Sequence, residues 1–322
     1  MKISLLALVM AGSISFAVAG NTNPHPEKCG VIENTKRKMQ ENPNLERLMQ
    51  NDEQRLQQLI EQNQNSRIGN TIYTIPVVVH IVWKTGSQNI TDAQILSQIA
   101  VLNEDFGHMN ADTASIPVSW RSISGPSNFQ FCLAQRDPNG NSTTGIERRQ
   151  TTATSFNTND NVKYYTTGGM DAWDTRTYFN IWVCNLSGGI IGYAEFPTSQ
   201  SSDTYGVVIQ YDSFGRVGTV SYPYNKGRTA SHEIGHCFNL KHIWGDDGSS
   251  CTGSDNVADT PNQGAETYGC LTYPATDNCN TSANGIMSVS YTHLRAHETV
   301  LDLVCRLLLT KKKQRTRSMI RR

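Results

Sequence analysis

Charge is scarce in this sequence. Asp, Glu, Lys and Arg make up 17% of its 322 residues, and 28 basic side chains face 28 acidic ones. A neutral chain offers no electrostatic footprint for nucleic acid, so none is expected as a partner. Long apolar runs are missing too. After the N-terminus no stretch approaches the roughly 18 apolar residues of a membrane-spanning helix, so no helical span is expected. No internal repeat is present. What the sequence does hold is short apolar runs, such as Ile75 to Val79 and Tyr205 to Ile209. These can build a core, so disorder throughout is excluded.

Both ends differ from the middle. Lys2 precedes the mostly apolar run Ile3 to Met10, and Ala17-Val18-Ala19 supplies a small-residue cleavage pattern before Gly20. Residues 1–19 therefore read as a secretory signal peptide and the protein as secreted, where disulfides are permissible. From Val289 to Arg322 there are nine basic residues against two acids, whereas residues 20–288 carry 18 basic and 26 acidic. A basic, anion-binding tail is one reading of that break. The string VSYTHLRAHET, followed by DLVCRLLL and a lysine run, instead resembles a translated sequencing-library adapter. Residues 289–322 are expected to be a non-native tail, in which His293, His297, Glu298 and Cys305 carry no chemistry.

Between these ends, residues 20–69 are rich in Asn, Gln and Glu and contain one helical stripe, from Leu45 through Leu48, Met49 and Leu56 to Ile60. A core begins near Thr71. Thr74 to Trp83 reads as a buried strand. Thr91 and Gln94 carry a capping-box signature ahead of the helical positions Ile95, Ile99, Leu102 and Phe106. Phe129 to Ala134 reads as a strand closed by the turn Asp137-Pro138-Asn139-Gly140. Tyr178 to Leu186 and Tyr205 to Tyr211 are further strands, with a glycine-punctuated one at Gly188 to Ala194. The pattern predicts an α/β layer. After His242 the chain loses periodicity.

The chemistry is concentrated in HEIGHCFNLKH, residues 232–242. On a helix His232 and His236 stand roughly 40° apart and one turn along, so both rings reach one cation, with Glu233 beside them as a candidate base. Continued as helix, His242 would lie about 240° round from His236 and roughly 9 Å further on. The chain must therefore stop and turn back. Asn239 stands where the break is needed, and Asn follows Gly in tolerating the left-handed conformation that ends helices. Three histidines leave one tetrahedral position open, the pattern of catalytic zinc.

The motif HExxHxx(G/N)xxH and the stretches IPVVVHIVW (75–83), LNEDF (102–106), GYAEFP (192–197), GRTASHEIGH (227–236), KHIWGD (241–246) and VADTP (257–261) resemble the pappalysin family of metzincin metalloproteases. The resemblance covers about residues 29–287. It implies an α+β metzincin catalytic domain at 70–288, with an upper mixed twisted sheet, two helices and an irregular lower subdomain, preceded by a propeptide at 20–69. It implies His232, His236 and His242 as zinc ligands, Glu233 as general base and acid, and protein or peptide substrates. A calcium ion on Asp255, Asp259 and Thr260 is implied too, in a loop whose oxygens suit it. So is a Cys251–Cys279 disulfide, with Cys270 pairing later. A monomer is expected.

The sequence departs from the family in two places. Asn239 replaces the commoner glycine. Met287 is followed by Ser288-Val289 rather than the Asp-Tyr of a Met-turn, so the domain reads as truncated before that turn.

Cys29 supplies a thiolate that suits zinc and would silence the open position; the resemblance includes such a switch. The plain alternative is an unpaired cysteine. Arg67 is a candidate cleavage point for removing the propeptide. Cys132 and Cys184 either pair with each other or stay as buried thiols, and Cys237 belongs to the core. His25, His80 and His108 have no ligand spacing. The strand at Gly192-Tyr193-Ala194 either holds substrate by backbone pairing or is simply structural. Two other functions compete with an endopeptidase: a catalytically inactive zinc-binding or adhesion module, against which Glu233 speaks, and a gluzincin-type peptidase, against which His242 speaks.

Overall fold

In the computed structural model the sheet is organised around its longest strand, β2 (Tyr73–Trp83), which is buried from Val77 to Val82. The described residues are 28–63, 71–116, 121, 124–246, 251–257, 260, 262–265 and 279. The signal-peptide reading, Arg67, Met287, Cys270 and the tail from Val289 all lie outside them.

The other strands are β1 (Lys28–Cys29), β3 (Phe129–Leu133), β4 (Ile146–Gln150), β5 (Phe179–Cys184), β6 (Ile190–Ala194) and β7 (Gly206–Gln210). They run β1-β6-β7-β5-β2-β3, with β4 also paired to β2. On that shared edge β3 pairs with the first half of β2, Tyr73 to Val77, and β4 with the second half, Val79 to Trp83. The β6/β7 pair is antiparallel and every other pair parallel. The sheet is therefore mixed, as the resemblance implies. β4 has no clear sequence signal, because IERRQ carries a single apolar residue. Only pairing with β2 makes it a strand.

Alternation along the strands sorts the core into two layers. Val77, Val79 and Ile81 of β2, Ile181 and Val183 of β5, and Val207 and Ile209 of β7 face two helices. Those helices are α3 (Asp92–Phe106) and α4 (Arg228–Cys237), contributing Ile95, Ile99, Leu102, Phe106, Ala230 and Ile234 to the same layer. Val82, Trp182, Cys184, Tyr193 and Val208 point the other way, onto Phe156 and Val162.

The capping box at α3 forms only in half. The Thr91 hydroxyl accepts from the Gln94 amide at 3.2 Å, but the buried Gln94 side chain does not return to Thr91. It donates to the carbonyls of Tyr211 and Phe214 at 3.1 and 2.9 Å, tying the helix to the loop after β7. A local signature has thus been taken over by a distant contact.

The N-terminal segment holds two helices where the sequence pattern predicts one: α1 (Val31–Glu41) and α2 (Leu45–Asn63). α1 is polar and short, and it forms where Val31 and Asn34 are buried against the rest of the chain. After α4 the described residues contain no helix or strand, in keeping with an irregular lower part. No described helix is long and apolar enough to cross a membrane.

Candidate active site

Helix α4 crosses β6 at Gly192, and this close approach requires glycine. A Cβ there would fall 2.8 Å from Glu233 Cγ and 2.9 Å from Glu233 Oε1. The bare strand lets the Glu233 carboxylate lie against the sheet, where it is 1% exposed. Burial pushes the Glu233 carboxyl up to about 8, although a hydrogen bond from the Cys29 thiol works the other way.

The helix ends as the spacing of its histidines requires. Asn239 takes φ 66°. Its amide donates to the His236 carbonyl at 2.9 Å, and the Leu240 amide donates to the Gly235 carbonyl at 3.0 Å. These two bonds form a Schellman motif with asparagine in the left-handed position. The reversed chain then brings His242 back to the helix. Ring centroids of His232 and His236 are 4.8 Å apart, those of His236 and His242 4.6 Å, and those of His232 and His242 5.4 Å.

The turn also fixes how two rings face. His236 Nδ1 lies 2.7 Å from the Leu240 carbonyl oxygen, and His242 Nδ1 lies 2.9 and 3.1 Å from the Asp246 carboxylate oxygens. Trp244 stacks on the His242 ring at 4.2 Å between centroids. With each Nδ1 engaged by an oxygen, each Nε2 is left to act as a ligand atom. Burial, followed by the neighbouring His242 and His232 rings, holds His236 well below the usual histidine range. The neutral form is the one a metal needs.

Cys29 closes the group. Its strand pairs in parallel with β6, with Cys29 opposite Gly192, and the Gly30 amide donates to the Gly192 carbonyl at 2.9 Å. The Cys29 thiol lies 3.5 Å from His236 Nε2 and 3.6 Å from Glu233 Oε2. Burial, then the Glu233 carboxylate, raises the Cys29 thiol well above its usual range. One donor atom from each of Cys29, His232, His236 and His242 falls within 4.8 Å of all the others.

This donor set fits zinc. Tetrahedral coordination at about 2.05 Å for nitrogen and about 2.3 Å for sulfur spaces two nitrogens about 3.3 Å apart and nitrogen from sulfur about 3.6 Å. Here His232 Nε2 and His236 Nε2 are 3.2 Å apart, and Cys29 Sγ and His236 Nε2 are 3.5 Å apart. Spacing and chemistry agree.

The helix bearing this site is held at its N-terminus by contacts between two of the quoted stretches, LNEDF and GRTASHEIGH, and by Asp112. Arg228 pairs with Asp105 of α3 at 2.8 Å and with Asp112 at 2.6 Å, and the Ser231 hydroxyl donates to Asp105 at 2.5 Å. Burial lifts the Asp105 carboxyl to about 6 despite the adjacent Arg228 guanidinium. Asp246 ends the stretch KHIWGD, and the only sequence signal of its contact with His242 is a carboxylate four residues further on.

Other residues fall elsewhere. Cys251 and Cys279 form a disulfide, with Cα atoms 5.3 Å apart. Cys132 and Cys184 are both free, so the paired alternative is set aside; Cys184 is buried and Cys132 only half-buried. Cys237 is buried in the core. His80 is also buried, with Nδ1 2.9 Å from Glu147 and Nε2 2.9 Å from Asn180, so it ties β2 to β4 and β5. Asp255 accepts from the Val257 amide at 3.0 Å, and the Thr260 amide donates to the Val257 carbonyl. Asp259 lies outside the described residues.

A family model described as pregnancy-associated plasma protein-A, Peptidase_M43, matches residues 160–307. Mature mirolysin of Tannerella forsythia, solved in complex with a cleaved peptide, is 49% identical; the match covers 74% of this chain and 91% of that one, with a TM-score of 0.69. Promirolysin of the same organism, in a mutant form, is 42% identical over 86% of this chain and 92% of its own, with a TM-score of 0.77. Among sequences, an extracellular metalloprotease of Colletotrichum graminicola is 32% identical over 223 residues, covering 66% of this chain and 69% of the relative. One from Arthroderma otae is 30% identical over 206 residues, 61% of this chain, and the chain spans 62% of that relative's length. With a mixed α/β fold shared with mirolysin and the histidine site described above, this chain belongs to the pregnancy-associated plasma protein-A, or pappalysin, family of metzincin metallopeptidases.

Proposed function

We propose that the protein is a secreted zinc endopeptidase made as a latent precursor. The observation that carries this reading is the convergence of His232, His236 and His242 beside a buried Glu233 on one side of β6. His232, His236 and His242 would hold the ion, and Cys29 would occupy its fourth position while residues 28–63 remain attached. Bound zinc supplies Lewis acidity, lowering the pKa of water to about 7 and polarising a carbonyl.

The remaining steps belong to the chain. Glu233 takes the proton of the attacking water at a carboxylate oxygen and delivers it to the leaving amine. Leu240 and Asp246 keep the His236 and His242 rings oriented. The backbone of β6 pairs with Cys29 in the latent chain and offers the same edge to an extended peptide once the N-terminal segment leaves. Secretion accords with relatives described as extracellular. Calcium at Asp255, Asp259 and Thr260 is proposed on the oxygen character of that loop.

An inactive zinc-binding module would need no carboxylate where Glu233 stands. Substituting Glu233→Gln in the chain freed of its N-terminal segment, and measuring casein cleavage and zinc content together, tests the assignment. Zinc should stay bound while cleavage falls by about a hundredfold or more. Undiminished cleavage would refute the role of Glu233.

A further inference from the structure

Besides the pairing at Cys29, the N-terminal segment makes ionic contacts with the rest of the chain at two places among the described residues. On α1, Lys38 Nζ lies 2.7 Å from Glu195 Oε2 and 3.4 Å from Asp160 Oδ2, and it donates to the Thr204 hydroxyl at 2.6 Å. Arg37 donates to the same Asp160 oxygen, and Asn34 does so at 3.1 Å. Asn34 and Arg37 also both donate to the Thr158 carbonyl, at 2.8 and 3.2 Å. From behind, Lys163 holds the second Asp160 oxygen at 2.9 Å and donates to the Thr204 carbonyl at 2.7 Å.

These charges are largely removed from water. Side-chain exposure is 4% for Asp160, 12% for Glu195, 17% for Lys38 and zero for Lys163. Breaking one partner out of a buried ionic group is far costlier than the group's net contribution, because the remaining charge stays unpaired. If α1 lifted away, Asp160 and Glu195 would share Lys163 between them.

The second ionic grip has the opposite polarity. Glu53 of α2 accepts from Asn239 Nδ2 at 3.0 Å and from Lys241 Nζ at 3.2 Å. Both residues belong to the turn that joins His236 to His242. The segment therefore presents cations to carboxylates at one place and a carboxylate to a cation at another.

We propose that the Asp160–Glu195 face is a second docking site for the N-terminal segment. It holds α1 on the catalytic domain independently of the Cys29 thiol, so that latency rests on ion pairing as well as on sulfur. The inference depends on the reading of residues 28–63 as an inhibitory prosegment, but its test does not depend on catalysis.

Hydrogen exchange on the zinc-loaded full chain provides that test, with α1 amides as the reporter and α3 amides as the control for global folding. Lys38→Glu should lower α1 protection by about a hundredfold or more while α3 is unchanged, the scale of disrupting one buried ion pair. Lys38→Arg, which keeps the charge, and Cys29→Ser should each leave α1 within about tenfold of the unaltered chain. Unchanged α1 protection in Lys38→Glu overturns the proposal, and so does loss of α1 protection in Cys29→Ser alone. Equal losses in α1 and α3, in both Lys38→Glu and the milder Lys38→Gln, overturn it as well. If the full chain shows the expected exchange pattern but the chain freed of residues 28–63 fails to digest casein, the docking site stands and the endopeptidase reading falls instead.

Discussion

The carbonyl oxygen of Leu240 lies 2.7 Å from Nδ1 of His236, so a residue beyond the end of the helix sets the ring of a residue inside it. The link exists because Asn239 reverses the chain at φ 66°. One turn thus does two jobs: it returns His242 to the helix and it aims His236. Asp246 plays the corresponding part for His242 from four residues further on.

That pairing gives a first expectation. Asp246→Asn leaves the three histidines in place but removes the charged acceptor from His242 Nδ1. Zinc affinity should fall about 10- to 100-fold, the usual effect of losing such an outer partner. Competition with a chromophoric chelator measures it, and an unchanged dissociation constant would show that Asp246 is not needed to orient the ring.

A second concerns the crossing of α4 over β6. Gly192→Ala places a methyl group 2.8 Å from Glu233 Cγ, closer than real contacts allow, and the carboxylate must move. Displacement of a catalytic group by about an ångström can cost a hundredfold in rate. Once the N-terminal segment is removed, cleavage of a quenched peptide should therefore drop by about that much with zinc content unaltered. Equal activity would mean that Glu233 has room the structure does not show.

The helix stop can be tested by two substitutions with opposite outcomes. Asn239→Ala puts a side chain without Asn's local hydrogen bonding into the left-handed region, at a cost of about 1–2 kcal/mol. It also removes the hydrogen bond to Glu53. Asn239→Gly relieves the backbone and loses only that bond. Thermal denaturation should rank Gly well above Ala, and the reverse order would contradict the left-handed assignment.

Acid should loosen the N-terminal segment. Burial alone would raise Asp160, but Lys163 and then Lys38 outweigh it and hold its carboxyl at about 2, below its ordinary 3.8. Arg37 touches the same carboxylate, and Glu195, the other acid of the group, is likewise held low against its own burial by Lys163 and Lys38. A depressed carboxylate stabilises fully above its unfolded pKa and loses that contribution as pH falls through the folded one. The stability that Asp160 adds, about 2 kcal/mol, should therefore be complete above about pH 4 and fade towards pH 2. Exchange of α1 amides followed across that window should show protection falling with acid. Protection that rises or stays flat would contradict the sign.

The sequence by itself determined the histidine motif and its helix stop, because both depend on spacing along one short segment: a turn of helix between His232 and His236, and a residue at 239 that accepts a left-handed backbone. It determined the long strands as well, where apolar runs such as Val77 to Val79 supply the core. Tertiary structure decided what came from far away in the chain. It made a strand of IERRQ by pairing it with β2, took Gln94 from its cap to the loop after β7, and left Cys132 and Cys184 as separate thiols. It also set Asp160 and Glu195 against Lys38 across more than a hundred residues of sequence, a relationship with no local signature. Periodicity and capping are short-range physics that a sequence displays directly. Desolvated ion pairs and close backbone crossings arise only when separate elements meet.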